Sequence, residues 1–240
     1  TWKKANLNFI LDRIYVLIIL CIVICLILFW IYGGSLLSIV GVGTAIWLFF
    51  SIITDWSHRV RFSGSTPSSL LKRSKSLPMS IYGMFVAHIG VAIFILGATV
   101  SGSWEKHYEG LIKEGQTLKI SKIDIKLNRV NNGIGKNWVS ERGIFFVEGE
   151  NKKFNMIAER RVYNDTGMPS TEAAIYSSFF SHLYIVIGSE QPEGSGSRIV
   201  RIYYNPLVSF IWLGAIIMAL GGLIALVDKK LLFSRKNIKI

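Results

Sequence analysis

Four apolar runs, each long enough to cross a bilayer as a helix, most constrain what this chain can fold into. They cover Ile14–Tyr32, Leu36–Ile53, Ile81–Val100 and Leu207–Val227. A helix rises about 1.5 Å per residue, so about 20 apolar residues cross the hydrocarbon core of a bilayer. The runs therefore predict four transmembrane helices, and the hydrophobic fraction of 51% agrees with this interpretation.

The basic charge is concentrated beside these runs. The net charge is +12, and outside residues 101–205 there are 13 Lys and Arg but only three acids. The three basic clusters are Lys3–Arg13, Arg59–Lys75 and Lys229–Lys239. By the positive-inside rule all three lie in the cytoplasm, which puts residues 101–205 on the opposite side. We expect no binding to nucleic acid, because residues 101–205 carry no basic stripe with interleaved aromatic residues.

Charge and hydropathy together predict the division of the chain. Residues 1–53 form two transmembrane helices, 54–80 a cytoplasmic basic linker, 81–100 a transmembrane helix, 101–205 an extracytoplasmic β domain, and 206–240 a transmembrane helix with a basic cytoplasmic tail. The linker is rich in serine and has two prolines, so we expect a mobile loop that is too polar to pack.

Alternation of apolar and polar residues predicts that the 101–205 domain is all β. The alternation is clearest in Thr117–Val130, where a change of phase between Ile120 and Ile123 suggests a β-bulge. Two hairpins are predicted, one after Ile144–Val147 and one that joins His182–Gly188 to Arg198–Tyr204 through the turn QPEGSGS. Short strands with glycine-rich turns favour a small barrel or sandwich.

His88 is the only Asp, Glu, His, Lys or Arg residue in the third apolar run. At 100° per residue, its face also carries Ile81, Met84, Phe85, Ala92, Ile95 and Thr99. The opposite face carries Gly83, Gly90 and Gly97, a spacing that predicts close packing against another helix. Small residues in the fourth run, Ala215, Ala219, Gly221 and Ala225, predict close packing there as well.

A histidine inside hydrocarbon is costly, so it needs a partner. The geometry suits a flat apolar ligand bound through its metal, with His88 as the metal ligand. The same histidine could instead donate a hydrogen bond to a neighbouring helix. The residues alone leave both interpretations open.

Three motifs in the same order resemble the C-terminal part of the CcmF family. They are GMFVAHIGVAIFILG, ERRVYNDTGMPSTEAAI and RIYYNPLVSFIWLGAIIMALGGLIALVDKK. CcmF is the haem lyase of the bacterial type I cytochrome c maturation system. The resemblance implies that His88 is an axial ligand of a buried haem b, and it assigns no catalytic residue to this chain.

The resemblance also implies the partners. The lyase takes haem from the membrane-tethered haem chaperone CcmE and joins the haem vinyl groups to the thiols of a CxxCH apocytochrome c. The implied partners are the N-terminal part of the lyase, CcmE, subunits of the CcmH and CcmI type that handle apocytochrome, apocytochrome c and the membrane. The expected location is the bacterial inner membrane, or the mitochondrial inner membrane if the chain is encoded in the organelle, with residues 101–205 on the periplasmic side.

The chain departs from the family pattern in one respect. The tryptophan-rich haem-handling loop is missing, since Asp55-Trp56 has the wrong order and lies on the wrong side. That loop, its histidines and the second haem ligand are expected upstream of Thr1. We therefore expect part of a lyase that is not active as this chain alone. The alternative is a non-enzymatic membrane assembly or sensor module in which His88 is structural.

The remaining candidate residues are two cysteines, three histidines and one charged segment. Cys21 and Cys25 are interpreted as small buried apolar residues, and His58 as solvated. His107 and His182 have no recognisable motif around them. In the segment Arg160–Glu172, we interpret Arg161 and Glu172 as partners that pin a long loop to the β domain, although the surface could also dock haem propionates or a partner.

Overall fold

The computed structural model describes residues 7–61, 66–149 and 152–228. The chain divides into two compact units, Thr1–Ser103 with Ser209–Ile240, and Trp104–Val208. Several residues of the sequence argument lie outside the described ranges. These are Lys3, Lys4, Glu150, Asn151 and the basic residues after Asp228. The backbone of Arg13 is described, but its side chain is not.

The first unit is helical. Its helices are α1 (Leu7–Tyr32), α2 (Leu36–Val60), α3 (Pro67–Lys75), α4 (Met79–Ser103) and α5 (Ser209–Leu226). Four of them, all except α3, are long and apolar enough to cross a membrane. Gly33 and Gly34 separate α1 from α2 with φ angles of 64° and 125°, a conformation that glycine adopts readily. The predicted class of a four-helix transmembrane segment with a β domain is confirmed.

The linker of residues 54–80 contains more helix than predicted. Helix α2 continues to Val60, and α3 occupies Pro67–Lys75, so the expectation of a mobile loop that is too polar to pack is wrong for these residues. Pro67 takes a first-turn position of α3, where its missing N–H costs no hydrogen bond. The Tyr82 hydroxyl of α4 donates to the carbonyl of Ser74 at 2.8 Å, which holds the end of α3 against α4.

Over residues 104–149 and 152–208, the second unit is a β-sandwich of nine antiparallel strands. One sheet has the order β1 (Lys106–Lys113), β9 (Ser197–Pro206), β8 (Ser181–Glu190) and β7 (Ala174–Ser177). The other has the order β2 (Thr117–Ile120), β3 (Ile123–Ile134), β4 (Trp138–Glu148), β5 (Lys153–Tyr163) and β6 (Pro169–Glu172). Both predicted hairpins are present, as β4–β5 and β8–β9.

The core lies between the two sheets. Leu127 and Phe145 point inward from the five-stranded sheet and Ile185 and Ile202 from the four-stranded sheet, and all four are fully buried. Burying one such side chain stabilises the fold by about 1.5–3 kcal/mol. The apolar residues of each sheet alternate with exposed ones because successive side chains point to opposite faces.

The predicted bulge between Ile120 and Ile123 is instead a tight turn. Strand β2 ends at Ile120 and β3 begins at Ile123, so the phase change marks two strands that pair with each other. Ser121 makes this turn with a φ of 55°. The bulge in this region lies farther along β3, where its register with β4 shifts between Leu127 and Arg129.

Candidate functional site

Helix α4, which carries His88, starts at an acidic cap supplied by another helix. The carboxylate of Asp228, just past the end of α5, accepts a hydrogen bond from the backbone N–H of Ser80 at 3.0 Å. Asp228 is only 7% exposed. A carboxylate at a helix N-terminus satisfies one of the free N–H groups and interacts favourably with the helix dipole. Asp228 therefore joins the end of α5 to the start of α4.

The glycine face of α4 packs directly on α5, which confirms the prediction. A Cβ atom at Gly90 would lie 2.7 Å from the carbonyl oxygen of Gly214, and one at Gly83 would lie 2.6 Å from that of Gly221. The relation is mutual, because a Cβ at Gly214 would lie 2.7 Å from the oxygen of Gly90. The two backbones thus touch where any side chain would hold them apart.

The contact surface of α5 agrees only in part with the one predicted. Gly214 and Gly221, seven residues apart, are buried, whereas Ala215 and Ala219 are exposed and the prediction for that pair is wrong. Gly221 and Ala225 were predicted correctly, since a Cβ at Gly83 would meet the carbonyl oxygen of Gly221 at 2.6 Å and the backbone nitrogen of Ala225 at 2.5 Å. Gly83, Gly90 and Gly97 of α4 and Gly214 and Gly221 of α5 all recur at a seven-residue spacing, and that shared spacing was a signal available in the sequence.

A second face of α4 packs on α2. Phe85 and Ala92 are buried, and Thr99 contacts Gly41 of α2, where a Cβ would lie 2.8 Å from Cγ2 of Thr99. These residues were predicted to share the face of His88 and to line a separate cleft. The structure divides that face, because residues 85, 92 and 99 lie on the side that packs within this unit.

His88 lies on the remaining, exposed face, together with Met84. Its Nδ1 is 2.8 Å from the carbonyl oxygen of Met84, one turn earlier in the same helix. A carbonyl oxygen only accepts, so Nδ1 carries the proton and donates it. In the neutral imidazole Nε2 then holds a free lone pair, which is the form that binds a metal. His88 is also nine residues from Met79, about 13 Å along the helix.

The two cysteines and the other histidines do not assemble into a site. Cys25 lies 3.8 Å from the carbonyl oxygen of Ile39, and Cys21 is buried beside a cavity between α1 and α2. His58 is exposed near the end of α2. His107 stacks on Tyr203 at a centroid distance of 6.5 Å. Among the described residues, no three His, Cys, Asp or Glu side chains come together as a metal site would require.

The segment Arg160–Glu172 is fixed by ion pairs on the sandwich. Arg161 donates from Nε to Glu159 at 2.9 Å, and its Nη1 lies 3.5 Å from Glu172, which confirms the predicted pair. The hydrogen bond to Glu159 raises the pKa of Arg161, so its charge is permanent. Glu159 and Glu172 face each other across β5 and β6, and Arg161 offsets their repulsion. Its guanidinium also lies 4.5 Å from the ring of Trp138.

Comparison with known proteins bears on both units. A family profile described as the CcmF C-terminal beta-sandwich matches residues 103–206, the range that contains all nine strands. The cytochrome c-type biogenesis protein CycK of Bradyrhizobium diazoefficiens is 28% identical over 232 residues, or 96% of this chain and 35% of that protein. The chain contains a C-terminal CcmF-like part.

Further relatives agree with the CcmF-like assignment. The cytochrome c-type biogenesis protein CcmF of Escherichia coli is 28% identical over 230 residues, which cover 95% of this chain and 34% of that protein. CcmF of Haemophilus influenzae is 30% identical over 161 residues, or 67% and 24%. The chain thus spans about a third of the length of the first two curated relatives.

A solved structure titled Cytochrome c Heme Lyase CcmF shares the fold. It superposes with a TM-score of 0.63 over 89% of this chain and 34% of that chain, at 14% sequence identity. The CcmF-like chain is therefore similar in fold to that protein both in its helices and in its sandwich.

Proposed function

We propose that this chain is the C-terminal portion of a cytochrome c haem lyase, in which His88 supplies one axial ligand of a buried haem b. The periplasmic domain of residues 101–205 serves the attachment of haem to the CxxCH motif of apocytochrome c. The observation that carries this proposal is the exposed imidazole of His88, whose Nδ1 proton is donated to Met84. The relatives named as cytochrome c-type biogenesis proteins support the same system.

The residues of α4 fit one side of a haem. Nε2 of His88 is a nitrogen donor that suits iron, and the hydrogen bond from Nδ1 fixes the orientation of the ring. Met84 and Ile95 give the surrounding face an apolar surface. When bound, the haem supplies a redox-active iron. The second axial ligand is assigned to the N-terminal part of the lyase.

The partners in this proposal are those of the maturation system. The N-terminal part of the lyase completes the haem site, and CcmE delivers haem. Subunits of the CcmH and CcmI type present apocytochrome c, and the sandwich provides the surface near the membrane where these proteins meet. Such an arrangement places the reacting groups close together, which is the main contribution that a protein makes to a cofactor reaction.

A non-enzymatic membrane module is the alternative function. It is favoured by the hydrogen bond of His88 to its own helix, because that bond satisfies one ring nitrogen without any ligand. In an assembly or sensor module, His88 would be structural and the sandwich would act only as a recognition domain. Loss or retention of haem in a His88 variant separates the two functions.

A complementation experiment tests the lyase function. Residues 1–240, expressed in a strain without its native lyase, are expected to give no holocytochrome c, because one ligand alone leaves the iron half coordinated. Co-expression of the missing N-terminal part should restore holocytochrome, measured by haem staining of separated proteins. A similar yield from 1–240 alone would place the active site within this chain and make His107, His182 and the Arg160–Glu172 segment the next candidates.

The proposed topology follows from the charge asymmetry. Both ends and the 54–80 linker are cytoplasmic, and residues 101–205 are periplasmic. Alkaline phosphatase fusions after Gly34 and Lys136 are expected to be active, and fusions after Lys75 and Lys230 inactive. Green fluorescent protein fusions at the same positions should give the opposite pattern. An inactive phosphatase at Lys136 would contradict the arrangement.

A further inference from the structure

The turn between β7 and β8 carries two adjacent phenylalanines. Ser178 donates its backbone N–H to the carbonyl oxygen of Ser181 at 2.9 Å, which leaves Phe179 and Phe180 at the tip. They are 55% and 64% exposed, and their rings meet edge to face at 5.0 Å. Tight turns are normally built from glycine, proline and small polar residues. Two exposed aromatic rings at a turn therefore indicate contact with an apolar phase.

This turn lies at the end of the sandwich from which the chain continues into its last membrane span. Ser181 pairs with Pro206, the final residue of β9, and the carbonyl of Phe180 accepts the N–H of Leu207 at 2.7 Å. The span of α5 begins at Ser209. In the sequence, Leu207 and Val208 are the two residues between the end of β9 and the start of that span. Phenylalanine is one of the residues that segments at a bilayer surface bury at the boundary between headgroups and acyl chains.

A cationic cavity opens beside the same turn. It has a volume of about 290 Å³, and Ser178 and Ser181, which flank the phenylalanines, form part of its wall. Lys122 and Lys152 also line it, and no described lining residue is acidic. Lys152 donates to the hydroxyl of Tyr176 at 3.2 Å. Two ammonium groups among serine and tyrosine hydroxyls offer the donors that a phosphate group requires.

We propose that this end of the sandwich binds the phosphate headgroup of an anionic phospholipid at the bilayer surface. Phe179 and Phe180 enter the boundary between headgroups and acyl chains, while Lys122 and Lys152 pair with the phosphate. The occupant is a lipid rather than a free anion because the cavity shares its wall with the aromatic turn, and that turn is bonded to Leu207, two residues before the last membrane span. The proposed lipid site does not involve haem, so its test is independent of the test of the lyase function.

The depth of the turn can be measured with a spin label. In the full chain with Cys21→Ala and Cys25→Ala, a nitroxide at Phe180→Cys is compared with one at Met168→Cys in nanodiscs that contain phosphatidylglycerol. Met168 is a matched control, since it is 68% exposed and lies in the β5–β6 turn. The label at 180 should be reached by oxygen and shielded from a water-soluble nickel chelate, and the label at 168 should be reached by both. A label at 180 that is open to the chelate, or shielded from both reagents, would overturn the proposal.

The headgroup site is tested by lipid binding to the detergent-purified full chain, monitored by native mass spectrometry. The double variant Lys122→Gln and Lys152→Gln should bind phosphatidylglycerol at least tenfold more weakly, since each lysine near an anionic surface contributes about fivefold. Lys136→Gln, in the exposed β3–β4 turn, should leave the affinity unchanged. Equal affinity in the double variant would exclude the site. Equal retention of phosphatidylcholine, or displacement by millimolar inorganic phosphate, would exclude an anionic lipid as its occupant.

Discussion

In the complete lyase, His88→Ala is expected to abolish the low-spin absorbance of the b-type haem. The substitution removes the only nitrogen ligand on the exposed face of α4 and leaves the iron without one axial partner. It should not unfold the helix, because alanine has the highest helix propensity and the replaced side chain is exposed. The measurement is the reduced-minus-oxidised spectrum of the purified complex, with the haem content determined separately.

Two controls make the His88 result specific. His58→Ala and His107→Ala remove exposed histidines, one near the end of α2 and one in β1, and both variants should keep the wild-type spectrum. Added imidazole should restore the low-spin bands in the His88 variant, because alanine leaves room for a free ligand on an exposed face. An unchanged spectrum in His88→Ala would reduce this histidine to a packing residue and favour the non-enzymatic module.

Gly221→Leu should produce the largest loss of stability. A Cβ atom at position 221 would lie 2.7 Å from both the Cα of Ala87 and the carbonyl oxygen of Gly83. These are backbone atoms of α4, which cannot rotate away, so the two helices must separate. We expect a cost of about 3 kcal/mol, at the upper end of the range for overpacking. It should appear as an earlier midpoint when the full chain is unfolded by titration with sodium dodecyl sulfate.

The neighbouring glycine of α5 provides the matched control. A Cβ at Gly222 would have no atom within 4 Å, so Gly222→Leu adds the same side chain to the same helix without meeting α4. Its midpoint should stay near that of the wild type. If both variants unfolded alike, the loss would come from α5 itself and not from its contact with α4.

The sequence predicted those features that depend on a regular period. The alternation of apolar residues predicted both long hairpins, and the seven-residue spacing of Gly83, Gly90 and Gly97 predicted a helix contact opposite His88. The partner surface was only partly predicted. The predicted residues Ala215 and Ala219 are four residues apart, and both are exposed. The contact between α4 and α5 is instead made at glycines that are seven residues apart.

Features that depend on a single backbone conformation or a distant partner were missed. The turn at Ser121 has a positive φ without a glycine to signal it, so its two strands were interpreted as one strand with a bulge. Helix α3 was not predicted, because its serine-rich composition is typical of loops. The hydrogen bond from the N–H of Ser80 to the carboxylate of Asp228 joins residues that are far apart in the sequence. No local sequence pattern predicts such a bond.

The pairing of α4 with α5 sets an order of events during synthesis. The whole sandwich is encoded between these helices, so the glycine face of α4 is made long before the face that covers it. At about 5–20 residues per second, the roughly one hundred intervening residues delay the pairing by about 5–20 s. During this interval the histidine-bearing helix lacks its cap and its closest neighbour. A nascent chain that stalls within the sandwich therefore exposes an incomplete α4 to membrane quality-control proteases, whereas a finished chain does not.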